Sequence, residues 1–222
     1  MPNYVKNIVS VSNKTMRDIE KKYFTKGEDG VFAFDFDKLI PMPKSLHLTE
    51  GSITNDAIAY ALSKMNITEK NKLMAKFSLM YESYYGNYWN KITRYTEKYT
   101  INDLEELNKK FEPNSECKLL GIRTLEELGN TYISNIENYG CCTWYDWSIE
   151  NWGTKWDACR FEHDDTTMIF ETAWSCPEPI LKELSRRYPD YEIEIKYADE
   201  DIGSNCGRFS ALRYFVWVDR KK

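Results

Sequence analysis

Residues 191–197 read Tyr-Glu-Ile-Glu-Ile-Lys-Tyr, and this stretch decides the fold class. Its apolar positions, Tyr191, Ile193, Ile195 and Tyr197, alternate with Glu192, Glu194 and Lys196. A period of two is typical of a β-strand that buries one face and exposes the other. The stretch therefore predicts a half-buried strand.

Two further strands and a helix surround this one. Residues 167–174 alternate with the same period and place Met168, Phe170, Thr172 and Trp174 on one face. Pro177 and Pro179 then begin a helix whose inward face carries Ile180, Leu181, Leu184 and Tyr188. Residues 209–218 form another apolar run, which predicts a strand at or near the same sheet.

The beginning of the chain supplies the other half of the sheet. Residues 5–12 predict a strand, residues 13–23 a helix capped by Asn13, and residues 31–36 a second strand with Phe32, Phe34 and Phe36 on one face. The alternation of strands and helices is typical of a split βαβ sheet with helices on one face. We therefore predict an α+β fold with a ferredoxin-like antiparallel sheet.

A helical insertion interrupts this sheet. Between residues 49 and 138 the apolar period changes to that of a helix, first in a stripe of Ile53, Ala57, Ala61 and Met65. Thr124 and Glu127 have the spacing of a capping box and open another helix. The sequence predicts a ferredoxin-like domain of residues 1–48 and 139–222, with an inserted helical subdomain of residues 49–138.

Composition bounds the class of protein. The chain has 222 residues and a net charge of -5, and no run approaches the roughly 20 apolar residues that a membrane span needs. We expect a cytoplasmic protein without a membrane partner. Its negative charge disfavours broad binding to nucleic acid, although a local basic groove is compatible with it. Six cysteines without a C-x-x-C spacing predict reduced thiols.

Several motifs resemble the YubB ferredoxin-like domain family. They are residues 1–7, Met-Pro-Asn-Tyr-Val-Lys-Asn; residues 39–43, Leu-Ile-Pro-Met-Pro; residues 144–147, Trp-Tyr-Asp-Trp; residues 151–157, Asn-Trp-Gly-Thr-Lys-Trp-Asp; and residues 170–175, Phe-Glu-Thr-Ala-Trp-Ser, followed by Pro177. The resemblance covers roughly residues 1–48 and 139–210 and leaves the insertion unexplained. It implies an accessory protein of a phage, plasmid or other mobile element, and it supplies no catalytic residues.

Four tryptophans lie within thirteen residues, at positions 144, 147, 152 and 156. Helical spacing puts Trp144 and Trp147 on one face and favours a place in the core. The alternative is a site that stacks a flat ligand, for which Trp152, Lys155 and Trp156 are the candidate ligand-binding residues.

Two surfaces are candidates for binding a partner. A helix predicted after Thr68 is rich in tyrosine, and Tyr81, Tyr85, Tyr88 and Trp89 give it a broad aromatic surface of the kind found in interface hot spots. Core packing within the insertion is the alternative. Asp199, Glu200 and Asp201 form an acidic edge that would attract a basic partner, or a merely solvated surface.

Three functions remain open at this point. The preferred one is a non-enzymatic interaction protein of a mobile element, which binds a host protein or ribonucleoprotein and inhibits a defence system such as a CRISPR effector. The second binds nucleic acid or a nucleotide on the open sheet face, near Arg160, Arg208 and Arg213. The third is an enzyme that uses Cys141 or Cys142, or acidic residues near His163. No catalytic constellation is recognisable, so we predict no catalytic residues, no cofactor and no metal.

Overall fold

The computed structural model describes residues 3–27, 30–78, 99–200, 205–212 and 214–216. The chain divides into two compact units, one of residues 1–42 and 148–222 and the other of residues 43–147. In the described residues no helix is both long and apolar enough to cross a membrane.

The helices and strands follow one another along the chain. In order they are β1 (Tyr4–Ser10), α1 (Asn13–Tyr23), β2 (Phe24–Lys26), β3 (Phe32–Phe34), α2 (Ser52–Lys64), α3 (Ile67–Ser78), α4 (Ile101–Lys110), α5 (Ser115–Leu119), α6 (Leu125–Tyr139), α7 (Trp144–Asn151), β4 (Cys159–His163), β5 (Thr167–Ala173), α8 (Glu178–Arg187), β6 (Ile193–Asp199), β7 (Gly207–Leu212) and β8 (Tyr214–Val216). Short 3-10 turns occupy Phe36–Lys38 and Lys44–Leu46.

The first unit is built on a six-stranded sheet of order β4-β5-β1-β6-β7-β8, in which every neighbouring pair is antiparallel. Strand β5 lies between β1 and β4, and β1 lies between β5 and β6, so β1-α1-β4 and β5-α8-β6 are two interleaved split βαβ units. This is the ferredoxin-like arrangement, and the predicted α+β fold class is confirmed.

The predicted strand at residues 31–36 is not part of that sheet. Its centre, β3, pairs with β2 in a separate two-stranded sheet, and Phe36 begins a 3-10 turn that Asp35 caps. The rings of Phe34 and Phe36 pack edge-on against Phe170 of β5, with centroids 5.4 and 5.9 Å away. The apolar alternation of residues 31–36 therefore belongs to a hairpin that covers the buried face of the sheet. The second strand of the ferredoxin-like motif is β4.

One face of the sheet forms the core. Val5, Asn7 and Val9 of β1 are completely buried, as are Ile193 and Ile195 of β6. The amide nitrogen of Asn7 is satisfied within this core, because Nδ2 donates to the carbonyl of Val5 at 3.0 Å and to Oγ1 of Thr172 at 2.9 Å. Its buried Oδ1 has no hydrogen-bond partner among the described residues.

The second unit is a helical bundle in which α2 packs closely against α6. Gly129 of α6 lies so near α2 that a Cβ atom there would be 2.0 Å from the carbonyl oxygen of Ala57. The amide of Asn135, also on α6, is buried and donates to the carbonyls of Ser45 and Cys142 at 2.8 and 3.0 Å. A single side chain thus holds both the incoming and the outgoing segment of this unit.

The local helix signals are mostly confirmed. Thr124 and Glu127 form the reciprocal capping box that their spacing predicts. The cap of α1 is Ser12, however, whose Oγ accepts from the backbone of Thr15, and not Asn13. Thr143 precedes α7, but its buried Oγ1 makes no hydrogen bond to any residue that the structure describes, so it does not cap that helix.

Candidate functional site

The segment of residues 151–157, which carries the Asn-Trp-Gly-Thr-Lys-Trp-Asp motif, is fixed by its own side chains. Trp152 is buried and donates from Nε1 to the carbonyl of Ile40 across 2.9 Å. Buried Thr154 donates from Oγ1 to the carbonyl of Ala173, also across 2.9 Å. Trp152 and Trp147 are thus core residues. Helical spacing predicts a core position for Trp144 and Trp147, of which Trp144 is only half-buried. The indole of Trp152, a candidate ligand-binding residue, is not offered to a ligand.

Gly153 is the residue that brings this segment against the start of α8. Its φ of 77° lies in the left-handed region, and an added Cβ would stand 2.6 Å from Cδ of Pro179. Its carbonyl accepts a hydrogen bond from Oγ of Ser175. Glycine is the only residue that meets both requirements.

Trp174 is the most unusual residue of this region. It follows β5 directly, its φ is 71°, and 42% of it is exposed. A bulky side chain in the left-handed region costs about 1–3 kcal/mol, and such strain is concentrated at functional sites. The backbone is held there by two hydrogen bonds, from its own N–H to the carbonyl of Asn3 at 2.9 Å and to its carbonyl from Nδ2 of Asn205 at 3.1 Å.

Lys155 lies against two indoles. Its Nζ is 4.8 Å from the ring centroid of Trp156 and 5.1 Å from that of Trp174, both within the range of a cation–π interaction. All three side chains are at least partly exposed. We call Lys155, Trp156 and Trp174 the indole platform. The position of the Lys155 ammonium shows that both indole rings accept a cation.

Acidic side chains lie at the end of the sheet that carries the platform. Nδ2 of Asn205, which binds the carbonyl of Trp174, also lies 3.3 Å from Oδ2 of Asp199. Glu200 accepts from the backbone N–H of Tyr4 at 3.3 Å, at the same end of β1. The structure therefore brings two residues of the predicted acidic edge, Asp199 and Glu200, to the same end of the sheet as Lys155 and Trp156. Asp201 lies outside the described residues.

Asp157 ends the motif in an electrostatically unfavourable place. Its Oδ1 accepts from the backbone N–H groups of Phe36 and Ala158 at 3.1 and 2.7 Å. Burial raises the pKa of this carboxyl to about 7, against the effect of these two hydrogen bonds, and the nearby charges of Asp35 and Asp37 raise it further.

The open sheet face is charged but largely self-compensated. Arg160 pairs with Glu171 and its guanidinium lies 4.5 Å from the centroid of Tyr4, while Arg208 pairs with Glu194. These carboxylates offset the two arginines that the sequence puts forward for nucleic acid. Arg213 lies outside the described residues.

The reactive groups considered for an enzyme are poorly placed for catalysis. Cys141 and Cys142 are buried, and burial raises the pKa of the Cys142 thiol to about 12. His163 stacks on Phe161 and meets the edges of Phe24 and Phe32 at 5.0 and 5.6 Å. In the part of the chain that the structure describes, no cluster of three metal-binding side chains is found.

The aromatic residues predicted as a partner surface lie outside the described residues; they are Tyr81, Tyr85, Tyr88 and Trp89. Trp174 was missed as a site residue, since its period-two pattern predicted an inward side chain. The chain leaves the strand at Ala173, so the pattern ends one residue before the tryptophan.

Comparison with known proteins adds to the fold assignment. Residues 151–213 match the family model described as a ferredoxin-like domain in Api92-like protein. The match supports a ferredoxin-like family for this part of the chain. It does not support the specific resemblance to the YubB family. The crystal structure of protein api92 from Yersinia pseudotuberculosis is 13% identical, with a TM-score of 0.44 over 99% of this chain and 97% of that one. No curated protein matches.

Proposed function

We propose that this chain is a non-enzymatic interaction protein that binds a basic segment of a partner macromolecule through the indole platform and the adjacent carboxylates. The observation that carries the proposal is Trp174, a large apolar side chain that is held exposed in a strained backbone conformation. Exposed tryptophans are among the side chains that contribute most to binding energy in interfaces.

Charge indicates the chemistry of the partner. Asp199 and Glu200 lie at the same end of the sheet as the two rings that accept the ammonium of Lys155. A lysine or arginine of the partner could displace Lys155 from the rings, while the carboxylates and the net charge of -5 steer it in.

The proposal has a finer form. The partner is a host protein or ribonucleoprotein met in the cytoplasm, the gene belongs to a phage or plasmid of the kind that carries YubB relatives, and binding inhibits a defence system such as a CRISPR effector. Its support is the sequence resemblance and the absence of a reactive thiol among Cys141 and Cys142, whose burial disfavours the enzymatic alternative.

The test is capture by tagged protein from nuclease-treated host lysate, with Trp174→Ala compared with Ile149→Ala. Ile149 is 39% exposed in α7 and provides a matched loss of exposed apolar surface. We expect a partner that wild type and Ile149→Ala retain, that high salt releases, and that Trp174→Ala loses. Equal retention by both variants would exclude the platform as the binding surface.

A further inference from the structure

A second surface of the sheet-containing unit has a different charge. A cleft of about 500 Å³ lies between α1 and the chain that follows α8. Its walls include Lys14, Arg17 and Lys21 on one side and Tyr188 and Tyr191 on the other, with Asp18 between them. This volume is within the range of small-molecule sites, roughly 300–1,000 Å³.

The three cations form a stripe along α1. Their spacing of three and four residues places them on one helical face, and all three are exposed. None of them lies within 4 Å of a carboxylate oxygen among the residues that the structure describes. In a chain with a net charge of -5, a stripe of cations without ion pairs is a local reversal of charge.

Among the described residues that line the cleft, Asp18 is the one carboxylate, and it is already compensated. Asp18 accepts from Lys22 at 2.6 Å and from the hydroxyl of Tyr188 at 2.8 Å, and these bonds lower the pKa of its carboxyl. It therefore stays ionised and bound to its own partners. The charge of Lys14, Arg17 and Lys21 is left for an anionic ligand.

The aromatic wall is rigid on one side and open on the other. Tyr188 is buried, and its ring meets Tyr23 and Tyr191 edge-on with centroids 6.5 and 6.4 Å away. Tyr191 is 37% exposed. It thus presents a supported aromatic surface to the cleft, on which a planar group can stack.

We propose that this cleft binds a nucleotide, with its phosphate on Lys14, Arg17 and Lys21 and its base on Tyr191. The nucleotide is either free or the terminal unit of a single strand, since both present the same phosphate and base. The site is separate from the indole platform and does not depend on the function proposed for that platform. The proposal places nucleotide binding at α1 and not on the open sheet face, where the arginines are paired with carboxylates.

Titration of fluorescently labelled adenosine triphosphate, followed by anisotropy at low salt, tests this proposal. We expect saturable binding that Arg17→Glu weakens by at least about tenfold, because the substitution removes one charge-assisted contact and adds a repulsive one. Lys118→Glu makes the same change of charge on an exposed position of α5 and should leave the affinity unchanged.

Two further titrations separate the parts of the proposal. Tyr191→Ala should weaken the nucleotide but not inorganic pyrophosphate, whereas Tyr139→Ala, which truncates another exposed tyrosine, should affect neither. Stronger binding of a labelled single-stranded oligonucleotide than of the free nucleotide would identify the strand as the source. Absence of saturable binding to either probe, or an equal effect of Arg17→Glu and Lys118→Glu, would refute the site.

Discussion

Asp157 and Phe36 are joined across the fold by a hydrogen bond of 3.1 Å, in which the backbone N–H of Phe36 donates to Oδ1 of the carboxyl. The bond connects the end of the 151–157 motif to the turn after the β2–β3 hairpin. It brings a carboxyl into a place where burial raises its pKa to about 7.

Stability should therefore fall as the pH rises toward neutrality. The folded protein keeps the Asp157 proton up to about pH 7, whereas the unfolded chain loses it near pH 4. Between these values the free energy of unfolding should decrease by at most about 1.4 kcal/mol per pH unit from this group, and then level off. Urea unfolding at a series of pH values between about 4 and 7 measures this decrease in the free energy of unfolding. Asp157→Asn should remove this part of the slope, and an unchanged slope in that variant would contradict the assignment.

The strain at Trp174 predicts that the glycine variant is more stable than the alanine variant, which reverses the usual order of stability. Both substitutions remove the indole, but only glycine adopts a φ of 71° without cost, so Trp174→Gly should be the more stable by about 1 kcal/mol. At Ile149, within α7, glycine should instead be the less stable by about 1 kcal/mol. Thermal unfolding of the four variants checks both signs. The same order at the two positions would mean that Trp174 is not strained.

Gly129 should not tolerate a methyl group. Alanine is favoured in helices by about 1 kcal/mol, but here its Cβ would overlap the carbonyl of Ala57, and overpacking typically costs 1–3 kcal/mol. We expect Gly129→Ala to lower the free energy of unfolding. Asn130→Ala, at the next and exposed position of α6, should raise it slightly. A stabilised Gly129→Ala protein would show that α2 and α6 are not in close contact.

Thiol chemistry should be confined to the exposed cysteine. Cys206 is exposed, whereas Cys141 and Cys142 are buried and burial raises the pKa of Cys142 to about 12. Brief alkylation of the native protein near pH 8, followed by peptide mass spectrometry, should label Cys206 first and the adjacent pair only after denaturation. Preferential labelling of Cys141 or Cys142 would restore the cysteine-dependent enzyme as a hypothesis.

The fold was predictable from the sequence where a pattern is local. Ile193 and Ile195 of β6 are buried as their alternation indicates, and Thr124 with Glu127 caps α6 as their spacing indicates. The pairing of strands was not predictable in the same way. Phe34 alternates like a sheet residue, yet its partner is the β2 strand, because periodicity reports which face is buried and not which strand lies alongside.

The candidate site was predictable only in part for a related reason. Lys155 and Trp156 stand out by composition, but their common contact, Trp174, is distant in sequence and lies one residue beyond the end of a strand. The cationic stripe of α1 was hidden by a different effect. Net charge averages over the chain, so Lys14, Arg17 and Lys21 disappear in a total of -5.

The bonds from Asn135 to Ser45 and Cys142 have a consequence for the connectivity of the chain. Both carbonyl oxygens are one hydrogen bond from the same nitrogen, so they lie within about 6 Å of each other. The two ends of this segment lie as close together as the ends of a short loop. The entropic cost of bringing the ends of a loop together grows only slowly with the number of residues in it. The two ends of this segment are therefore close enough for a brief linker to join them, although Asn135, which holds them, lies between them.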